Sequence, residues 1–403
     1  VCSSDLFLCV RDFFPNRPEK EPLTRMTDAE LLKTQILGMD FPAPVFTAAG
    51  PPSRDAAILN AAAENGCGGL VAKTISVEAA KVARPCMASP YHGKAESMLN
   101  IELWSDLPPE AWYGPGGEYE KVRAHPVGGK RPLIGSLGYN AEDAKKLIPN
   151  MEKFVDAYEF SCHYTTLDET REYASTIRSL TKKPVFAKLS PHGHDLLHLA
   201  KELRACGVDG FVLMNSLGPC LVLDVEREAP ILGGPGGKGW LSGSAVRPIA
   251  VYWVSALARA MPDVPIIGVG GVSSWHDVVE FMLAGASAVQ VCTAAIYKGP
   301  KVFKDINDGL IAYCKRKGLK NIGEIRGRAL KSLETEGNYV PPVSHCDETQ
   351  CVHCGICTNV CTFEAITVDK AGKKWTVNPD KCYGCGLCTT ICPRHCLTVV
   401  PRK

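Results

Sequence analysis

Apolar positions repeat one unit between residues 44 and 294: a short, nearly unbroken aliphatic run, then a longer stretch with helical spacing. The runs are PVFTAAG from Pro44, GLVAKT from Gly69, PLIGSLG from Pro132, AYEFSC from Ala157, PVFAKLS from Pro184, GFVLMNS from Gly210, PIIGVGG from Pro265 and AVQVCTA from Ala288. Between them, DAAILNAAAENG and DLLHLAKELRACG carry apolar residues at i, i+3 and i+4 and stop at glycine. A strand buried on both faces loses its polar alternation, so this pattern predicts a parallel sheet covered by helices on both sides. Eight such units over about 250 residues fit an α/β fold of the (β/α)8 TIM-barrel type. The rival arrangement of the same units is a doubly wound open sheet.

Two connections are longer than a helix requires, Arg84 to Arg131 after the second strand and Leu217 to Ser244 after the sixth. In a barrel both fall on the C-terminal face, where loops build active sites. The pattern fades after Ile325. The chain divides into an N-terminal extension (1–30), the barrel (31–330), a linker (331–345) and a small cysteine-rich module (346–403). The opening VCSSDL back-translates to GTG TGC TCT TCC GAT CTN, which resembles the end of a sequencing-library adapter. Val1 to Leu6 are therefore read as foreign to the native protein.

The composition of the 403 residues, 45% hydrophobic and 22% charged, is ordinary for a soluble globular chain. A net charge of +2 gives no reason to invoke nucleic acid or a membrane surface. No apolar run is long enough to span a bilayer, and LFLCV, followed at once by Arg11 and Asp12, does not make a signal peptide. Nineteen cysteines change the picture, because their clustering points to metal ligands in a reducing cytoplasm rather than to disulfides.

CVHCGICTNVC and CYGCGLCTTICP are two copies of C-x2-C-x2-C-x3-C around a short hairpin-like stretch. Thiolates at this spacing wrap cubic iron–sulfur clusters, the fourth cysteine of each run serving the other cluster. The pattern predicts one [4Fe–4S] cluster on Cys351, Cys354, Cys357 and Cys392, and a second on Cys382, Cys385, Cys388 and Cys361. A pair of zinc knuckles explains the C-x2-C pairs but not the third cysteine and the x3 step of each run. Cys346 and Cys396 lie outside the pattern and are read as structural. The module is thus expected to be a small α+β two-cluster ferredoxin-like domain.

Several polar or glycine residues fall at the C-terminal ends of the predicted strands: Lys73, Thr74, Cys162, Lys188, Asn215, Ser216, Gly270, Gly271 and Thr293. That edge carries the chemistry in barrel enzymes. Paired glycines after the seventh strand let backbone N–H groups approach an anion, which suggests a phosphate site shared with the turn after the eighth; an uncharged loop is the plainer reading. GPGGKG from Gly234 matches G-x-G-x-x-G without the strand-then-helix context of a dinucleotide site, so it is read as a flexible active-site loop. No nicotinamide-binding domain is legible.

LNIELWS with Asn100, AKT with Lys73, Ser161-Cys162, FAKLSP with Lys188, MNS with Asn215, GWLSGSAVRPIA and VQVCTA resemble dihydroorotate dehydrogenase-like flavoproteins. The match is nearest the catalytic subunit of dihydropyrimidine dehydrogenase, which also carries a C-terminal two-cluster ferredoxin domain. The resemblance implies FMN on the barrel mouth, its phosphate held by backbone around Ser242-Gly243, Gly270-Gly271 and Cys292-Thr293. Ala49, Gly50, Lys73 and Thr74 would line the isoalloxazine, and Lys188 would sit near its N1–C2=O edge, where reduced flavin gathers negative charge. Asn100 and Asn215 match substrate-contacting asparagines beside the cofactor, and Ser216 stands where the dihydropyrimidine enzymes have threonine. Hydride would pass between flavin N5 and one carbon of a C=C bond. Cys162 holds the position of the acid for the neighbouring carbon, with Ser161 and Lys73 completing the catalytic group. A neutral thiol, titrating at ~8.5 when unperturbed, suits proton exchange near neutrality. Electrons would be relayed by the clusters to a partner, an NAD(P)H-oxidising flavoprotein subunit or a ferredoxin. Self-association of the barrel is also implied.

The chain departs from that family in places. Asn-x-Ser-Cys-Pro is replaced by Glu159-Phe160-Ser161-Cys162-His163. An asparagine amide donates and accepts, whereas an ionised Glu159 only accepts. Glu159 is therefore protonated, faces a donor-rich substrate group, or has turned away. TLDE predicts a capping box, Thr166 with Glu169, that starts a helix at once where the dihydropyrimidine enzymes have a longer lid. His192 and His194 are read as hydrogen-bonded loop residues. Three readings follow: oxidation or reduction of a dihydropyrimidine-like ring, the same machinery on a different unsaturated substrate, and a non-catalytic electron-transfer subunit.

Overall fold

The computed structural model describes residues 27–402 apart from 92–93, 139, 163–165, 192–194, 335–336 and 338–339. The readings on Val1–Leu6, His163, His192 and His194 lie outside the described residues. The chain separates into two compact units, Val1–Lys331 and Ser332–Lys403.

All eight apolar runs become strands: β1 (Val45–Thr47), β2 (Leu70–Val71), β3 (Leu133–Leu137), β4 (Ala157–Ser161), β5 (Val185–Leu189), β6 (Gly210–Leu213), β7 (Ile266–Val269) and β8 (Ala288–Val291). They form one sheet in the order β1-β8-β7-β6-β5-β4-β3-β2, each neighbouring pair parallel. A further parallel bridge, Phe46 to Gly69, joins β1 to β2 and closes the sheet into a barrel. The open-sheet alternative is thereby excluded. Along each strand the side chains alternate. On β4, Ala157 packs with Phe46, Val71, Phe186, Val212 and Ile267 in the lumen, while Tyr158 and Phe160 belong to the larger core beneath the helices. Local chemistry starts the helices. Asp55 caps Ala56–Glu64, Asp195 caps Leu196–Ala205, and Thr166 with Glu169 forms a capping box on Leu167–Leu180.

The two long connections pair with each other. Met87–Ala88, Ser97–Asn100, Gly239–Gly243 and Leu217–Cys220 form a four-stranded antiparallel sheet in which Trp240 lies opposite Asn100 and Gly243 opposite Ser97. The glycine run expected as a flexible loop folds instead into a 3-10 turn, Pro235–Gly237, leading into the Gly239–Gly243 strand.

The second unit pairs Val343–Cys346 with Leu397–Val400 and Ile366–Asp369 with Lys374–Val377, both antiparallel. The first of these strands begins inside the segment expected as linker. Short helices, Ile356–Asn359 and Leu387–Ile391, occupy the middle of each cysteine run. Among the described residues no helix is long and apolar enough to cross a membrane.

Candidate active site

A cavity of about 890 Å³ opens at the C-terminal ends of the barrel strands, within the usual range for small-molecule sites. Strand ends bring Ala49, Gly50, Lys73 and Thr74 to it from β1 and β2, Glu159 and Ser161 from β4, and Lys188 from β5. Asn215 and Ser216 follow β6, Gly270 and Gly271 follow β7, and Cys292 and Thr293 follow β8. Asn100, Ser242 and Gly243 arrive from the four-stranded sheet.

The polar side chains are tied to one another. Lys73, 5% exposed, places Nζ 3.2 Å from Glu102 Oε2. Glu102 is set in turn by its N–H, which donates to Asn100 Oδ1 at 3.2 Å, while Asn100 Nδ2 donates to Trp240 O at 3.1 Å. Asn215 Nδ2 donates to Ser161 Oγ at 3.2 Å. Glu159, 1% exposed, lies with Oε1 3.7 Å from Lys188 Nζ and accepts from Gln290 Nε2 at Oε2, 2.5 Å. The donors that face Glu159 are therefore supplied by the protein itself. Gln290 Oε1 is buried without a hydrogen-bond partner.

In the second unit the cysteines fall into two groups. Cys351, Cys354, Cys357, Cys392 and Cys396 line one small cavity, and Cys361, Cys382, Cys385 and Cys388 line another. Each run thus sends its last cysteine to the other run's group. Among the described residues, Cys346, Cys351 and Cys396 form the only group of three or more cysteines whose sulfur atoms all lie within 4.8 Å of one another. A single tetrahedral zinc with Zn–S bonds of ~2.3 Å requires four sulfurs about 3.8 Å apart, a closeness that neither predicted set of four shows.

The description "Dihydroorotate dehydrogenase" belongs to a family model that matches residues 133–313, and "4Fe-4S dicluster domain" to one that matches 350–396. The catalytic subunit of dihydroorotate dehydrogenase B (NAD(+)) from Pyrococcus horikoshii is 32% identical over 314 residues, covering 75% of this chain and 98% of the relative. The chain belongs to the dihydroorotate dehydrogenase family. The same subunit from Pyrococcus furiosus is 33% identical over 313 residues, 74% of this chain and 99% of the relative. That from Bacteroides fragilis is 41% identical over 156 residues, 39% of this chain and 50% of the relative.

In this dihydroorotate dehydrogenase family member, the cavity suits the FMN that the family implies. At one end, glycines let backbone segments pack so closely that any side chain would clash. Gly243 has φ +83°, and a Cβ there would lie 2.4 Å from Glu96 O; Gly271 has φ +80°, and its Cβ would meet Arg247 Cβ at 2.7 Å. Ser242 and Thr293 add hydroxyls 3.0 Å apart at the same end. The two buried lysines, Lys73 and Lys188, line the same cavity. Backbone N–H groups and hydroxyls match a phosphate, and cations match the electron-rich edge of a reduced ring.

Cys162 lies away from the cavity lining. It was expected to face the flavin, but it follows β4 with the parity of Tyr158 and Phe160 and joins them in the core beneath the helices. It is 6% exposed and is not among the residues lining the cavity. Burial pushes its thiol far above the ordinary value. Period-two alternation could have signalled this, because Ser161 and Cys162 cannot share one face of an extended strand. Sequence reasoning also missed Glu102 and Gln290. Gln290 left a signal as the one polar residue in the buried strand AVQV; Glu102 left none, because its partner Lys73 lies 29 positions away.

Proposed function

We propose that the chain is an FMN- and iron–sulfur-dependent oxidoreductase acting on a C–C bond of a dihydropyrimidine-like ring. The observation that carries this reading is the convergence of Lys73, Lys188, Asn100 and Asn215 with a glycine cradle in one barrel-mouth cavity. FMN bound there supplies two-electron exchange with the ring and one-electron exchange with iron–sulfur centres. The chain's residues do the rest. The amides of Asn100 and Asn215 hold the polar edges of the ring, and Lys188 offsets negative charge as it builds up. Glu102 positions the Lys73 ammonium. For the proton step, Cys162 is the proposed acid; its raised titration keeps it a neutral thiol, the form that donates, and its Sγ must turn from the core into the cavity. The placement of Ser161 Oγ inside the cavity favours that hydroxyl as the second candidate.

Two [4Fe–4S] clusters are proposed, one on Cys351, Cys354, Cys357 and Cys392 and one on Cys382, Cys385, Cys388 and Cys361. They would exchange electrons with a separate NAD(P)H-oxidising flavoprotein subunit or a ferredoxin. The relatives' names make dihydroorotate a leading substrate beside dihydrouracil and dihydrothymine. Glu159, standing where the family has asparagine, favours as a second reading the same machinery on another unsaturated ring. Anaerobic addition of each dihydropyrimidine to purified, reconstituted protein tests the proposal; one of them should bleach the bound flavin. A reconstituted protein without flavin absorbance would sink it.

A further inference from the structure

The two cysteine-lined cavities are not equivalent. The one built on Cys382, Cys385 and Cys388 is lined by four cysteines, as many as a cubic cluster uses, whereas the one built on Cys351, Cys354 and Cys357 is lined by five. The surplus residue is Cys396. Its Sγ lies 3.5 Å from Cys392 Sγ, and its side chain is 4% exposed. The backbone holds it there. Asp347 N donates to Cys396 O at 2.8 Å, and the neighbouring Leu397 pairs with Cys346 across the β-ladder. Cys396 Sγ also lies within 4.8 Å of the sulfurs of Cys346 and Cys351. The Cys396 thiol is thus buried directly beside a predicted cluster ligand.

We propose that Cys396 is a reserve ligand of this cluster, able to bind the iron of Cys392 when that thiolate is lost. The exchange is redox-neutral. An iron–sulfur bond to Cys396 forms as its thiol releases a proton to solvent, and the bond to Cys392 breaks as that thiolate takes up a proton. The inference rests on the iron–sulfur reading above and adds a donor that the C-x2-C-x2-C-x3-C spacing does not name.

The test is iron content per chain, with electron paramagnetic resonance of the dithionite-reduced, reconstituted full-length protein. Wild-type protein should hold about eight irons; a markedly lower value in the wild type refutes the two-cluster reading itself, a separate failure. C392A should keep about eight irons and both signals, C392A/C396A should fall to about four, and C361A, whose cavity has no surplus cysteine, should also fall to about four. Loss of half or all of the iron in C392A overturns the proposal. So does retention of about eight irons in C392A/C396A or in C361A, because iron retention would then not depend on Cys396.

Discussion

Glu159 and Lys188 stand on adjacent barrel strands with carboxylate and ammonium 3.7 Å apart, and both side chains are nearly out of solvent. Gln290 holds the other carboxylate oxygen from β8. The pair places a compensating negative charge beside the lysine that faces the proposed ring site.

E159Q removes that charge while keeping an oxygen for Gln290 to donate to. Lys188 then acts on the cavity uncompensated and stabilises the reduced, anionic form of bound FMN. The midpoint potential should rise by roughly 30 mV, equivalent to ~1.4 kcal/mol for a two-electron couple. Spectroelectrochemical titration reads it directly, and an unchanged or lower potential contradicts the assignment.

The end of β4 offers two candidates for the proton step, and substitution separates them. If Cys162 carries it, C162A should slow substrate reduction of the flavin by about 10²–10⁴-fold while S161A has a smaller effect. Stopped-flow measurement of flavin bleaching in both variants decides the matter. A C162A enzyme as fast as wild type removes Cys162 from the chemistry, and a large loss in S161A alone moves the role to the cavity hydroxyl.

What was legible in the sequence was whatever local chemistry dictates. Eight apolar runs needed no long-range information to be read as buried parallel strands, and the Thr166–Glu169 box marked its own helix. The cysteine spacing encoded the exchange of Cys361 and Cys392 between groups because the two runs share one pattern. What stayed hidden depends on pairing across the fold. The four-stranded sheet over the mouth joins segments some 140 residues apart, as in the Asn100–Trp240 hydrogen bond, and the expected loop becomes a 3-10 turn leading into one of its strands. Glu102 and Gln290 matter only through their partners on other elements. The direction of the Cys162 side chain is not given by the resemblance; strand parity, visible at Phe160, sets it in the core beneath the helices.

Gly243 offers a structural prediction. Its φ of +83° and the 2.4 Å that would separate a Cβ from Glu96 O leave no room for alanine. G243A should cost about 1–3 kcal/mol through backbone strain, and it should lower the flavin bound per chain because the cradle must open. Flavin-to-protein ratio after reconstitution and a denaturant titration check both effects. A variant that is fully loaded and as stable as wild type shows that the cradle tolerates a side chain.

The alkaline limit of the barrel should depend on Cys67. Its thiol is fully buried and donates to Gly69 O at 3.1 Å, and burial pushes its titration from 9.0 up to about 12. Between those values the unfolded chain has lost the proton and the folded chain still holds it, so the native state binds more protons and stability falls as pH rises. The contribution is intact below about pH 9 and declines by ~1.4 kcal/mol per pH unit above it. C67A removes the titrating group, so its stability should fall less steeply than that of wild type from pH 9 to pH 11, whatever it loses in packing at neutral pH. Urea titrations across that range measure both slopes, and parallel curves would show that Cys67 does not set the alkaline limit.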